Sequence, residues 1–403
     1  MFTAMNQDGE CINLLFFHKR ESLRELKEQQ TFFCCHCYQP VLLKIGKYKL
    51  PHFAHVKNNN CLYTSKHESF QHLQAKKDFY EWLKRQLLEP QVETFISVIQ
   101  QKADLLVKLN RQLFAIEYQC SKIPMQQIIK RTKGYLEEHI IPVWILGGLP
   151  YQKVVGEHRF QLTDFQMAFI RYDYKKGFYL FSYSPQNRQF HILTQLMPVS
   201  LTTVIANITQ QPLYSITFPL LAHQLISTSM NNGFYEKWFQ LRKEWIHTKL
   251  KYGKGFKDPF LREVYLHDQH PLYLPAIIGL PLKQMMICRE HAIEWQFYYW
   301  IDNLRNLKNG QALTFKQIHE NFRKRMEQRY LHLRHFPLIY QDVKDEMLDQ
   351  YTQLLIRLGY LKEVKKRKYI MNKSIPIPKN MEEVIRMEKK LKLEFFAAKK
   401  TYE

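Results

Sequence analysis

The chain has 403 residues, 45% of them hydrophobic and 14% aromatic, which excludes an intrinsically disordered protein. Its formal net charge of +22 favours a polyanionic partner, most often nucleic acid, over a membrane surface or a merely solvated basic exterior. No apolar run reaches the about 18 residues of a membrane span, and the first residues lack a secretory pattern, so the sequence predicts a cytoplasmic protein.

The first segment, residues 1–64, is predicted to be a small β-subdomain with a metal site. It contains a C-x2-C pair, then H-x2-H, then one further cysteine. This spacing is typical of a closed Cys3His structural zinc site. The predicted Zn²⁺ ligands are Cys34, Cys37, His55 and Cys61. His52 is the alternative histidine, and Cys35 is not expected to be a ligand. The other interpretation is a group of reduced thiols.

The second segment, residues 65–150, is predicted to be an α/β domain that begins with an amphipathic helix over 66–87. Glu68, His72 and Lys76 stand four residues apart, so they share one face of this helix. The face is either a solvated ladder of charges or the edge of an active site that faces a phosphodiester.

A strand over 92–99 is followed by a predicted hairpin over 101–121, which turns at an Asn-Arg pair. Asp104 opens the first strand of the hairpin, and Glu117 and Gln119 share one face near the end of the second. Two carboxylates brought together across a hairpin can bind a hard divalent cation. The alternative is a hairpin with ordinary surface acids.

The domain is completed by a helix over 124–138 and a buried strand over 140–148, predicted to be parallel to its neighbour. The predicted element order is helix, three strands, helix and strand, with acids on the first helix and on two of the strands. This order resembles the restriction-endonuclease-like PD-(D/E)xK core. The run C-x2-C, HFAH, Cys, E-S-x2-H-x3-K, ADL and IEYQ-x-S, over about residues 30–148, resembles the competence protein CoiA family.

This resemblance implies a role in natural transformation of Gram-positive bacteria, acting on DNA inside the cell. It implies that Asp104 and Glu117 bind catalytic Mg²⁺ or Mn²⁺, and that Glu68 adds a third acid or orients a water. Gln119 stands where nucleases of this class most often have lysine, so a neutral amide replaces a cation. His72 or Lys76 could supply that positive charge.

The last segment, residues 151–403, is predicted to be a basic, mainly helical region. Aromatic and basic residues alternate over 238–262, which favours either a nucleic-acid surface or a helix with a basic exterior. Residues 310–372 resemble a winged helix with a basic wing, a fold that binds proteins as well as DNA.

The sequence therefore predicts a metal-dependent DNA nuclease that acts on incoming or recombining DNA, in single-stranded or branched form. The alternative is a non-catalytic DNA-binding scaffold that recruits recombination proteins. A third interpretation, from charge alone, is RNA binding.

Overall fold

The computed structural model describes residues 1–56, 61, 69–220 and 232–400. Its first elements are β1 (Thr3–Asn6), β2 (Cys11–Asn13), α1 (Arg20–Gln29), β3 (Phe32–Phe33), β4 (Pro40–Lys44) and β5 (His52–His55). The strands form a five-stranded antiparallel sheet in the order β2-β1-β3-β4-β5. Burial alternates along β4, with Val41 and Leu43 inside, as expected for a sheet with one solvated face.

A second, larger sheet begins after the helix α2. Its first elements are α2 (Phe70–Arg85), β6 (Gln91–Ile96), β7 (Gln101–Leu109), β8 (Gln112–Gln119), α3 (Met125–Glu137) and β9 (Ile140–Gly147). The predicted hairpin is confirmed, because β7 and β8 pair up to Leu109 opposite Gln112, which leaves a two-residue turn. The predicted parallel strand is confirmed too, because β9 runs parallel to β8.

Helices α2 and α3 cover opposite faces of this sheet. Phe79 of α2 packs in one core with Leu105 and Ile116. Tyr135 of α3 packs in another with Ala115, the neighbour of Ile116 on β8. Adjacent strand residues point to opposite faces. The segment is therefore a mixed α/β layer structure.

The sheet does not end at residue 150. Further elements are β10 (Lys153–Gly156), β11 (Arg159–Gln161), α4 (Asp164–Met167), β12 (Arg171–Asp173), β13 (Gly177–Ser184), β14 (Gln189–Pro198) and β15 (Thr203–Pro212). β13 runs parallel to β9 and joins these strands to the others. The result is a ten-stranded sheet in the order β10-β11-β15-β14-β13-β9-β8-β7-β6, with β12 beside β13.

The C-terminal part is mainly helical. Its elements are α5 (Asn232–Tyr252), α6 (Pro259–Leu266), α7 (Ala292–Asn303), β16 (Ala312–Thr314), α8 (Phe315–Glu327), α9 (Val343–Arg357), β17 (Leu361–Lys365), β18 (Lys368–Met371) and α10 (Met381–Lys400). Three short strands pair in the order β16-β18-β17. The stretch from α7 to β18 has the element order of a winged helix. Among the described residues, no helix is long and apolar enough to cross a bilayer.

Candidate active site

A group of sulfur and nitrogen atoms lies beside β3 and β5. One ligand atom each from Cys34, Cys37, His55 and Cys61 lies within 4.8 Å of all the others. Within the described part of the chain, no other set of three or more Cys, His, Asp or Glu ligand atoms is gathered in this way. His52 lies outside the group, with Nδ1 2.9 Å from a backbone carbonyl oxygen. These donors fit a tetrahedral Cys3His zinc site.

The turn between β3 and β4 brings the first two cysteines together. The backbone N–H of Cys34 donates to the carbonyl oxygen of Gln39 at 2.9 Å. The N–H of His36 donates to Cys34 Sγ at 3.5 Å, as backbone amides do for a metal-bound thiolate. Tyr38 takes a left-handed φ of 56°, which closes the turn. Cys35 is not among the gathered ligand residues.

A buried ion pair connects this subdomain to the larger sheet. Lys76 Nζ on α2 lies 2.5 Å from Glu93 Oε1 on β6, and neither side chain is more than 1% exposed. Glu93 also accepts hydrogen bonds from the backbone N–H groups of Phe2 and Thr3, at 3.0 and 3.2 Å. Although burial opposes its charge, Lys76 holds the pKa of Glu93 well below its usual value. Lys76 is therefore an interior residue that ties α2 to β1.

Asp104 lies where the pairing of β7 and β8 ends. The register of the two strands stops at Leu105 opposite Ile116. Beyond that pair, the N–H of Tyr118 donates to Asp104 Oδ2 at 3.0 Å, so a side chain continues the hydrogen bonding of the strands. His72 Nε2 on α2 lies 2.9 Å from the same oxygen. Burial opposes the charge of Asp104, but His72 holds its pKa below the usual value.

Glu117 occupies the next strand and is bound from the other face by α3. Its Oε1 accepts a hydrogen bond from Arg131 Nη2 at 2.5 Å and a very short one from the hydroxyl of Tyr135. Burial raises the pKa of Glu117 to about 7; Arg131 opposes this rise, and the charge of Asp104 adds to it. The two carboxylates therefore lie close enough to repel each other.

The remaining predicted residues are placed differently. Gln119 Nε2 donates to the carbonyl oxygen of Ser121 at 2.7 Å, so its amide contacts the backbone just after the end of its own strand. Glu68 lies outside the described residues. The hydrogen bonds that the two central acids accept from described residues use Asp104 Oδ2 and Glu117 Oε1 alone. Asp104 Oδ1 and Glu117 Oε2 take no part in these bonds.

Two residues of the site were missed at the sequence level, Arg131 and Tyr135. Both project from α3 onto Glu117, and Arg131 Nη2 also donates to the carbonyl oxygen of Lys102 at 2.8 Å. Burial disfavours the charge of Arg131, but Glu117 holds its pKa above the usual value. Their spacing of four residues on one helix was the available signal, because such residues share a helix face.

Comparisons with known proteins agree with this architecture. Three family models match in chain order: competence protein CoiA, N-terminal domain, over residues 15–64; its nuclease-like domain over 68–225; and its C-terminal domain over 234–385. Competence protein CoiA of Bacillus subtilis (strain 168) is 25% identical over 366 residues, 90% of this chain and 95% of that protein. No solved structure matches. The chain belongs to the competence protein CoiA family, with a nuclease-like domain at its centre.

Proposed function

We propose that this protein is a DNA nuclease of natural transformation, dependent on Mg²⁺ or Mn²⁺, with a PD-(D/E)xK core within residues 65–150. The supporting observation is the juxtaposition of Asp104 and Glu117 on adjacent strands at the point where their pairing ends. Both acids are buried in the nuclease-like domain, and both are held by neighbouring side chains. Buried acids with pKa values displaced in opposite directions are typical of catalytic sites.

The donor atoms fit a hard cation. Asp104 Oδ1 and Glu117 Oε2 would hold the metal, and Glu68 is proposed as a third acid or as the group that orients a water. Carboxylate oxygens are the protein ligands that Mg²⁺ prefers. When bound, the ion polarises a phosphoryl oxygen and lowers the pKa of the attacking water.

The protein's own side chains would fix the acids before substrate binds. His72 orients Asp104 through its 2.9 Å contact with Oδ2. Arg131 and Tyr135 orient Glu117 and leave its second oxygen for the cation. Gln119 would donate a neutral hydrogen bond to the phosphate after its amide leaves Ser121. Lys76 would act through its charge alone, since it lowers the pKa of Asp104 from inside the protein.

We also propose that Cys34, Cys37, His55 and Cys61 hold a structural Zn²⁺. Four protein ligands leave no open position for water, which favours a structural role over a catalytic one. The ion would connect the β3–β4 turn, β5 and Cys61, and so stabilise a sheet whose strands are only two to five residues long.

The second candidate is a non-catalytic scaffold that binds DNA and recruits recombination proteins in the cytoplasm. Two observations favour it. Gln119 replaces the usual lysine, and one oxygen of Glu117 is already taken by Arg131 and Tyr135. A protein that lost catalysis could keep such a network for stability alone.

Cleavage assays separate the two candidates. We expect the wild-type protein with Mg²⁺ or Mn²⁺ to cut DNA, tested on single strands, duplexes and branched molecules in parallel. Asp104→Ala and Glu117→Ala should each abolish cleavage, with unchanged circular dichroism and DNA binding. Glu89→Ala, at an exposed position of the same domain, is the matched control. If the wild type cuts none of these substrates yet binds them, the nuclease proposal fails and the scaffold remains.

A further inference from the structure

The hairpin of β17 and β18 carries an exposed cluster of positive charge, which we call the basic wing (residues 362–368). All seven of its residues are exposed. Five of them are basic, and one is acidic: Lys362, Lys365, Lys366, Arg367, Lys368 and Glu363. None of the five cations forms an ion pair within 4.0 Å of a described residue. Elsewhere on the surface, exposed lysines such as Lys133 and Lys390 stand beside an acid four residues away.

The geometry of the wing concentrates this charge at its tip. Lys365 pairs directly with Lys368 across the strands, and the turn between them consists of Lys366 and Arg367. Like charges in directly opposite positions destabilise a hairpin. Arg367 also takes a left-handed φ of 58° without being glycine. One alternative explanation of these charges is that lysines on an edge strand prevent sheets from associating. It does not explain the two turn residues, which lie beyond the last paired residues and are not part of a strand edge.

The wing is held in place from behind. The guanidinium of Arg367 lies over the ring of Phe315 at 4.6 Å, and Phe315 is buried at the start of α8. The backbone N–H of Arg367 donates to Glu363 Oε1 at 2.9 Å. These two contacts restrain the tip, which reduces the entropy lost when a partner binds.

The helix that usually enters the DNA groove in this type of fold is not available. In helix-turn-helix proteins the second helix of the motif reads the major groove. Here that helix is α9, and none of its 15 residues is fully exposed. Its first turn also carries two acids, Asp345 and Glu346, which would repel phosphates. The basic wing therefore offers a polyanion more exposed positive charge than α9 does.

We propose that the basic wing binds B-form duplex DNA, with its lysines on the phosphates that border the major groove. That groove is wide enough for a two-stranded ribbon, whereas the deep, narrow major groove of duplex RNA is not. The wing has no exposed aromatic side chain on which the bases of a single strand could stack, because Tyr369 at its base is buried. This inference is independent of whether the central domain cleaves DNA.

A charge-removal experiment tests the proposal. The wing variant is Lys365→Gln, Lys366→Gln and Lys368→Gln, which leaves Arg367 and its packing intact. The control variant, with equal loss of charge, is Lys27→Gln, Lys389→Gln and Lys390→Gln, at exposed positions elsewhere. Binding to labelled duplex DNA is measured by fluorescence anisotropy without added divalent ions, so that no strand is cut. Duplex RNA and single-stranded DNA of the same sequence are measured in parallel.

Each phosphate contact contributes about 0.9 to the slope of log affinity against log salt. Between about 50 and 200 mM salt, wild-type affinity should therefore fall about 40-fold more than that of the wing variant, if three contacts are lost. The control variant should keep the wild-type slope. The proposal is overturned if both variants keep that slope, or if duplex RNA or single strands show the same wing-dependent loss.

Discussion

The ion pair between Lys76 and Glu93 allows a test of the role of Lys76. The test asks whether this lysine stabilises the protein interior. The informative substitution is Glu93→Gln, which keeps the size of the side chain and removes its charge. Lys76 would then lie in a site where its side chain is 0% exposed, without the carboxylate 2.5 Å from its ammonium. Loss of this carboxylate makes the buried charge of Lys76 more costly and favours loss of its proton.

The expected cost follows from that geometry. Removal of one partner of a buried ion pair typically destabilises a protein by about 3–5 kcal/mol. Glutamine also has one acceptor oxygen where Glu93 uses two, so the bonds from Phe2 and Thr3 cannot all be kept. A domain is typically stable by about 5–15 kcal/mol, so this single change should remove a large part of its stability.

Urea denaturation of four proteins measures the effect. The wild type, Glu93→Gln, Lys76→Met and the double variant form a cycle that isolates the interaction between the two side chains. The double variant should be more stable than Glu93→Gln alone, because it no longer buries an ammonium that has lost the carboxylate of Glu93. Glu81→Gln is the control on the same helix, since Lys77 and Glu81 form a partly exposed pair that should be worth less than about 1 kcal/mol.

The pH dependence of this cost has a definite sign. The pKa of Glu93 lies well below its usual value of 4.5 in the folded protein. The pair therefore stabilises the protein above that usual value, and the contribution is lost as the pH falls through the folded pKa. The difference between wild type and Glu93→Gln should be constant down to about pH 5 and shrink below it. If Glu93→Gln costs no more than Glu81→Gln at neutral pH, the structural role is refuted.

Three further predictions concern the metal cluster and the acids. Cys61→Ser should lower the zinc content measured by atomic emission, whereas Cys35→Ser should not; equal zinc in both variants would contradict the assigned ligands. Cleavage should rise with pH through about 7, because Glu117 must lose its proton to bind a cation. Arg131→Gln removes the positive charge that opposes the rise in the pKa of Glu117. The pH profile of cleavage should therefore shift to higher pH, and a shift to lower pH would exclude this electrostatic role.

Local sequence patterns predicted the elements that depend on local chemistry. The turn of the β7–β8 hairpin and the parallel strand β9 follow from apolar runs and their flanking residues, and both are confirmed. The continuation of the sheet through β13 could not be found in this way. It depends on the parallel pairing of Ser182 and Tyr183 with Leu146 and Gly147, far earlier in the chain. Such long-range pairing produces no repeating pattern of apolar residues in the local sequence.

The choice of histidine shows the same limit on a smaller scale. His52 and His55 both lie in β5, three residues apart, so they point to opposite faces of the strand. Only one of them can therefore face the cysteines. The sequence spacing allows either, and the choice depends on which face of β5 the β3–β4 turn packs against. That choice is made by the buried residues of the sheet, such as Phe53.

The charged partner of Glu117 comes from a helix and not from its own strand. The nuclease motif usually has a lysine two residues after the second acid, on the same strand. In this sequence that position is Gln119, whose side chain is a neutral amide. The structure instead supplies a cation from α3, where Arg131 lies 2.5 Å from Glu117. A guanidinium keeps its charge at any physiological pH, and its side chain here is 23% exposed, so it is accessible from outside. Spacing along the strand could not reveal it, because Arg131 lies on α3, the connection between β8 and β9, and only folding brings that helix against Glu117.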